Sequence, residues 1–146
     1  MVFCLIIKSE VEKKISKFGT NDPFYIAKRL GVLIEYADLG ETFGFYFRNR
    51  RIKIININHN LSEITQRFVC AHELGHVIMH KDANTPALRR NTFFSTNKIE
   101  KEANRFAVEL LLPDEAIYQY EDTNMTINEI AGIYGVPEEV THLKKF

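Results

Sequence analysis

Five consecutive residues constrain this chain more than any other feature: His72-Glu73-Leu74-Gly75-His76. Side chains four apart share a helix face. A helix through this stretch therefore turns both imidazoles to one side, close enough to hold a single metal ion, with Glu73 beside them. The flanks, Phe68-Val69-Cys70-Ala71 before and Val77-Ile78-Met79 after, are too apolar for a solvated face. A buried histidine pair needs partners, and a metal supplies them. The alternative is a chance match on a polar helix face, which the apolar flanks oppose.

The rest of the composition narrows the setting. A chain of 146 residues with 45% hydrophobic content fits one compact domain with a real core. The formal net charge of zero gives no global support for a nucleic-acid or acidic-membrane surface. Cys4 and Cys70 form no paired framework, and Cys70 reads as a small core residue. The apolar start, residues 1–7, lacks a basic leader and ends at Lys8-Ser9-Glu10, too short for a signal core or a membrane span. A soluble, cytoplasmic protein is expected.

Taken in order, residues 11–18 read as a helix that Gly19 stops, giving an N-terminal helical segment over residues 1–20. Asn21-Asp22-Pro23 is a helix start, with a capping side chain before proline at the first helical position, and Gly31 closes that helix. Residues 32–36, 42–47 and 52–57 read as three strands, the last two a hairpin with Arg48-Asn49-Arg50-Arg51 at its tip. A helix is expected from Asn60 or Ser62 to about His80, with Glu63 completing a capping box on Asn60. Residues 81–96 read as a loop beside the site, and a second helix runs from Lys98 to Leu112 until Pro113 stops it. A further short helix is expected over residues 114–120.

The last segment, residues 121–146, reads as a helix pair, with a capping box from Thr126 to Glu129 and a turn at Gly135-Val136-Pro137. Its spacing resembles a helix-turn-helix. Over residues 126–146, Glu129, Glu138 and Glu139 against Lys144 and Lys145 leave a net of minus one where DNA contact needs a basic face. Packing on the domain, or docking a partner, is the expectation.

The pentapeptide matches the His-Glu-x-x-His pattern in which two histidines hold zinc and the glutamate handles a proton. A catalytic zinc usually takes three protein ligands. On the second helix, at about 100° per residue, Ile99, Ala103, Phe106, Ala107 and Leu110 form an apolar face. Glu100 projects within it, Glu102 at its margin and Glu109 further round. A carboxylate on a core-facing stripe is expensive unless paired, so Glu100 is the first candidate for the third ligand and Glu102 the second. The structural alternative for Glu100 is a salt bridge or a favourable charge at a helix N-terminus. Asn104 is placed to hydrogen-bond a ligand from behind. Asp82, ten residues after His72, is disfavoured because Met79 stands where that arrangement needs a glycine. His80 continues the histidine row, but one straight helix does not wrap three such residues around one ion.

Two stretches carry a family resemblance. Residues 67–80, with the pentapeptide at their centre, resemble the ImmA/IrrE family of metallo-endopeptidases, as does Glu100-Lys101-Glu102-Ala103-Asn104-Arg105-Phe106-Ala107 with residues 109–113. The likeness covers residues 21–120, and Asn91-Thr92-Phe93-Phe94-Ser95 resembles the ImmA branch carried by phages and conjugative elements. The resemblance implies an α+β, zincin-like domain: a twisted, mainly antiparallel three-stranded sheet packed on the helices that carry the histidines and the third ligand. It implies a catalytic core over residues 21–120, zinc on His72, His76 and Glu100, and Glu73 as the catalytic group. It further implies an anti-repressor that cleaves a helix-turn-helix repressor and so derepresses a mobile element. Longer relatives carry an additional domain, and sensing through one is not expected here.

The implied chemistry is peptide hydrolysis, with zinc as Lewis acid and Glu73 as the proton carrier. An oxyanion also needs a donor, and His80, His59 and Tyr118 are candidates by residue type. Two rival readings stand beside this one. The first is a binding module with structural zinc, acting on a repressor by contact alone. The second is a toxin-type or housekeeping peptidase with another substrate.

Overall fold

The computed structural model describes residues 2–146, with side chains from residue 4 onward. Helix α1 spans Val2–Phe18, within the N-terminal helical segment expected over residues 1–20 and beyond the clear periodicity of residues 11–18. Ile7 and Val11 are buried, and Ile15 and Phe18 pack behind them on the same face. The apolar start is thus the first half of an amphipathic helix rather than a free end. Gly19, at φ 69°, ends it. Helix α2 (Pro23–Arg29) begins where Asp22 accepts a hydrogen bond from the Phe24 amide.

Strands β1 (Val32–Ala37), β2 (Thr42–Asn49) and β3 (Ile52–Asn58) follow. The hairpin turns at Arg50, whose φ of 55° is the single positive value at a non-glycine among the described residues. The sheet order is β1-β3-β2-β4, where β4 (Leu88–Arg89) is a fourth, two-residue strand inside the expected loop. Pairing is antiparallel for β2 with β3 and with β4, and parallel for β1 with β3. The sheet is therefore four-stranded and mixed, with two of its three pairings antiparallel. Asn58 is buried, and its side-chain amide donates to the carbonyls of Gly40 and Thr42, which pins the crossing from β1 to β2.

Helix α3 (Glu63–Met79) lies against β2 and β3. Its cap is Ser62, which accepts from the Thr65 amide. Asn60 does not cap it, and Glu63 is its first helical residue. A Cβ at Gly44 on β2 would stand 2.5 Å from the Val69 side chain and 2.6 Å from the Asn56 carbonyl. Only glycine lets the sheet settle this closely on α3. A one-turn 3-10 segment (Arg90–Phe94) leads into α4 (Lys98–Leu111), which is capped by Asn97. Then come α5 (Asp114–Tyr118), α6 (Ile127–Ile133) and α7 (Glu138–Thr141). Helix α4 packs on α3, and both α1 and α7 pack on α4.

The terminal pair therefore docks on the fold. Ile130, Ala131, Val136, Val140 and Leu143 enter the same buried cluster as Phe68 and Phe106. Cys70 lies in that cluster with its thiol pushed up by burial, as expected of an inert core cysteine. No helix among the described residues is long and apolar enough to cross a membrane.

Candidate metal centre

Two helices build the site. The apolar face of α3 is buried from Phe68 to Val77, and it carries His72, Glu73 and His76 inward at 0% exposure. Asn97 starts α4 by accepting from the amides of Ile99 and Glu100, which sets Glu100 in the first turn, 1% exposed. The ligand atoms of His72, His76 and Glu100 all lie within 4.8 Å of one another. His76 Nε2 stands 2.8 Å from Glu100 Oε1, and His72 Nε2 stands 3.4 Å from Glu100 Oε2.

These separations are short, yet none of the atoms is aligned for a hydrogen bond. His72 Nε2, His76 Nε2, both carboxylate oxygens of Glu100 and both of Glu73 are buried without a hydrogen-bond partner. Each orphaned buried polar atom costs about 1–3 kcal/mol. Nitrogen and oxygen lone pairs gathered in one dry place, two neutral and one anionic ligand among them, fit a divalent cation of the zinc type. Glu73 lies to the side, with Oε2 4.0 Å from His72 Nε2, and is not part of the three-residue cluster.

The electrostatics separate the two buried carboxylates. Burial pushes Glu73 up to about 8, and the Glu100 charge adds to this while His76 opposes it. Burial acts upward on Glu100 as well, but the close imidazoles of His72 and His76 more than reverse it, leaving this carboxyl at about 2. One carboxylate thus has the affinity of a proton acceptor and the other stays anionic.

The IrrE N-terminal-like domain family of peptidases, Peptidase_M78, matches residues 27–144. The chain belongs to this family. It is 45% identical over 140 residues to "Uncharacterized immunity region protein 2" of Bacillus phage phi105, covering 95% of this chain and 89% of that one. It is 33% identical over 142 residues to "Metallopeptidase ImmA" of Bacillus subtilis (strain 168), covering 94% and 83%. Membership in Peptidase_M78 and the metallopeptidase relative support a metallopeptidase-type role for the chain.

Behind the cluster of this M78 chain, each histidine is held by its second nitrogen. His72 Nδ1 lies 2.8 Å from Asn104 Oδ1, and the Asn104 amide reaches the Thr92 carbonyl at 3.4 Å. Asn104 is therefore where sequence reasoning places it, and it also ties the 3-10 segment to the site. His76 Nδ1 lies 2.9 Å from His80 Nδ1, and His80 Nε2 lies 2.9 Å from Glu102 Oε1. Burial pushes the His80 imidazolium down, and Glu102 only partly offsets it. Glu102, the second candidate ligand, is thus turned to His80, and the three-residue cluster leaves it out.

Of the three oxyanion candidates, His80 has both ring nitrogens engaged. His59 sits at the turn after β3, where its amide donates to the Ala37 carbonyl, and Tyr118 is 58% exposed on α5. Asp82 reaches toward Arg48 at 3.7 Å with a fully exposed side chain, away from any ligand role.

A second polar cluster was not foreseen. Glu109, buried on α4, accepts from Lys144 Nζ and from the Lys145 amide, each at 2.7 Å. Lys144 also meets Asp114 at 2.8 Å, and Asp114 meets Lys8 at 2.9 Å. The available signal was Glu109 standing inside Val108, Leu110, Leu111 and Leu112: an acid in such a run requires a partner.

Proposed function

We propose that this chain is a zinc-dependent endopeptidase of a single metallopeptidase domain, residues 1–146, that cleaves a helix-turn-helix repressor and so derepresses a phage or other mobile element. His72, His76 and Glu100 would hold the zinc, and Glu73 would be the catalytic base. The observation that carries this reading is the convergence of unpartnered buried lone pairs from those three residues, with the unpartnered Glu73 carboxylate beside them. A structural zinc site has no need of that fourth group.

A bound zinc supplies Lewis acidity toward a water molecule and the scissile carbonyl. Glu73 takes the proton of the attacking water and passes it to the leaving amine. Burial disfavours its charged form, which suits the carboxyl to hold a proton between the two steps. Glu100 stays anionic and offers charge to the metal, while Asn104 holds the His72 ring in place.

The printed name of the phage relative, an immunity region protein, supports a substrate in the control of a mobile element. Such a substrate places the protein in the cytoplasm. The terminal helix pair favours a protein partner over nucleic acid, because Lys144 is buried against Glu109 while Glu129 and Glu138 face solvent. The test is co-expression with a helix-turn-helix repressor found encoded beside the gene. Repressor fragments that appear with the wild type and vanish with Glu73→Gln support the proposal. Derepression without fragments favours action by contact. An intact repressor with cleavage of some other protein favours a peptidase of different purpose.

A further inference from the structure

His80 and Glu102 have no part in the peptidase reading, yet the fold brings them together across two helices. His80 is the C-cap of α3, fixed by its backbone N–H to the His76 carbonyl at 2.8 Å. Its side chain is 8% exposed and Glu102 is 17% exposed, so both are largely shielded from water. The contacts run His76 Nδ1 to His80 Nδ1 to Glu102, each 2.9 Å.

A single proton arrangement satisfies this chain with neutral rings. If His76 Nε2 gives its lone pair to a metal, the proton of the neutral ring sits on Nδ1. That N–H donates to His80, whose Nδ1 must then be the acceptor. His80 carries its own proton on Nε2 and donates it to the Glu102 carboxylate. We propose that His80 and Glu102 form a positioning relay for His76, fixing its tautomer and ring and backing its metal-facing nitrogen with a carboxylate charge. The two histidines of the cluster are then unequal. His72 leans on a neutral amide, whereas His76 leans on an anion passed through a second imidazole. Hydrogen bonding to an anion makes a ligand nitrogen more basic and so a stronger donor.

The inference rests on His76 being a zinc ligand, and the experiment separates the two claims. The zinc dissociation constant of the full chain is measured by competition with a chromophoric chelator, with thermal unfolding of the metal-free chain alongside. His80→Phe keeps a ring but makes neither hydrogen bond. Glu102→Leu removes the carboxylate from a partly exposed position that tolerates it. Each should weaken zinc about 10–100-fold, and the double variant should be little worse than either, because both break one chain. His80→Gln should restore most of the affinity, since its amide can accept from His76 and donate to Glu102.

A purely structural role predicts otherwise: unfolding temperature would track the loss, and glutamine would not rescue. Wild-type zinc affinity in folded His80→Phe and Glu102→Leu overturns the relay, as do losses that multiply in the double variant. Retention of zinc by His76→Ala overturns the ligand assignment itself, and the relay with it.

Discussion

Gly75 lies directly under Phe106: a Cβ on this glycine would stand 3.1 Å from Phe106 Cβ and 3.2 Å from its ring. This contact sits beside His76 on α3 and less than two turns along α4 from Glu100. It sets how near the two helices pass, and therefore how near Glu100 comes to the histidines. The glycine inside the pentapeptide is a spacer between helices.

Gly75→Val should test that relation. A branched side chain has no room against Phe106, and overpacking of this kind costs about 1–3 kcal/mol. We expect a lower unfolding temperature and, in the folded fraction, weaker zinc binding as α4 is pushed away. A variant with wild-type stability and zinc content would mean that the close passage is not what brings Glu100 in.

The ligand set makes its own prediction. Zinc should bind one per chain, and His76→Ala and Glu100→Gln should each lose it. Glu102→Gln should keep it, because glutamine still accepts a hydrogen bond from His80. Metal analysis of purified proteins decides this. Loss of zinc in Glu102→Gln with retention in Glu100→Gln would mean that the wrong carboxylate was chosen.

The cluster of Glu109, Lys144, Asp114 and Lys8 ties α1, α4 and α5 to the chain's last residues. Lys144→Met leaves Glu109 buried with the Lys145 amide alone, and breaking a buried pair in this way costs about 3–5 kcal/mol. Adding Glu109→Leu should recover most of it, since replacing both partners removes the uncompensated charge. Burial acts upward on Asp114, but Lys144 and Lys8 hold it below its ordinary 3.8. Its contribution is therefore present above pH 3.8 and is lost as pH falls below that value. Asp114→Asn should flatten the acid limb of a stability–pH curve. An unchanged limb would contradict the pairing.

The terminal helix pair should not bind DNA. Its α7 is four residues long and it turns Val140 and Thr141 into the fold, while Lys144 is neutralised internally. Duplex binding that weakens with salt and disappears on removing residues 121–146 would overturn this.

What the sequence reveals follows the range of each interaction. The helices and the buried face of Glu100 were readable because periodicity and a carboxylate among alanines are local signals. Asn104 was readable for the same reason, being one turn from Glu100. The role of His80 was not, because it depends on Glu102 meeting it from another helix. Strand β4 was not readable either: Leu88 and Arg89 become a strand only by pairing with Thr42 and Gly44. The periodicity of α1 is clear only from Val11 onward, because Leu5 and Ile6 are exposed at 56% and 55%, which blurs the apolar stripe that Ile7 and Val11 make.

Glu73→Gln is the variant that bears on the reaction itself. Glutamine is nearly isosteric with glutamate, so the packing around position 73 should survive. It is also neutral, whereas burial pushes the wild-type carboxyl up to about 8, so the exchange replaces a group that must take up a proton or bury a charge on folding. The protein should therefore fold at least as well as the wild type. His72, His76 and Glu100 are untouched, so zinc content should be the same. What is lost is the group proposed to take the proton from the attacking water. General acid–base groups contribute about 10²–10⁴-fold, and cleavage of a co-expressed repressor should fall by at least that factor. Fragments and derepression should disappear together. Wild-type cleavage by a zinc-loaded Glu73→Gln preparation would falsify the assignment of Glu73, and derepression without fragments would move the function from cleavage to contact.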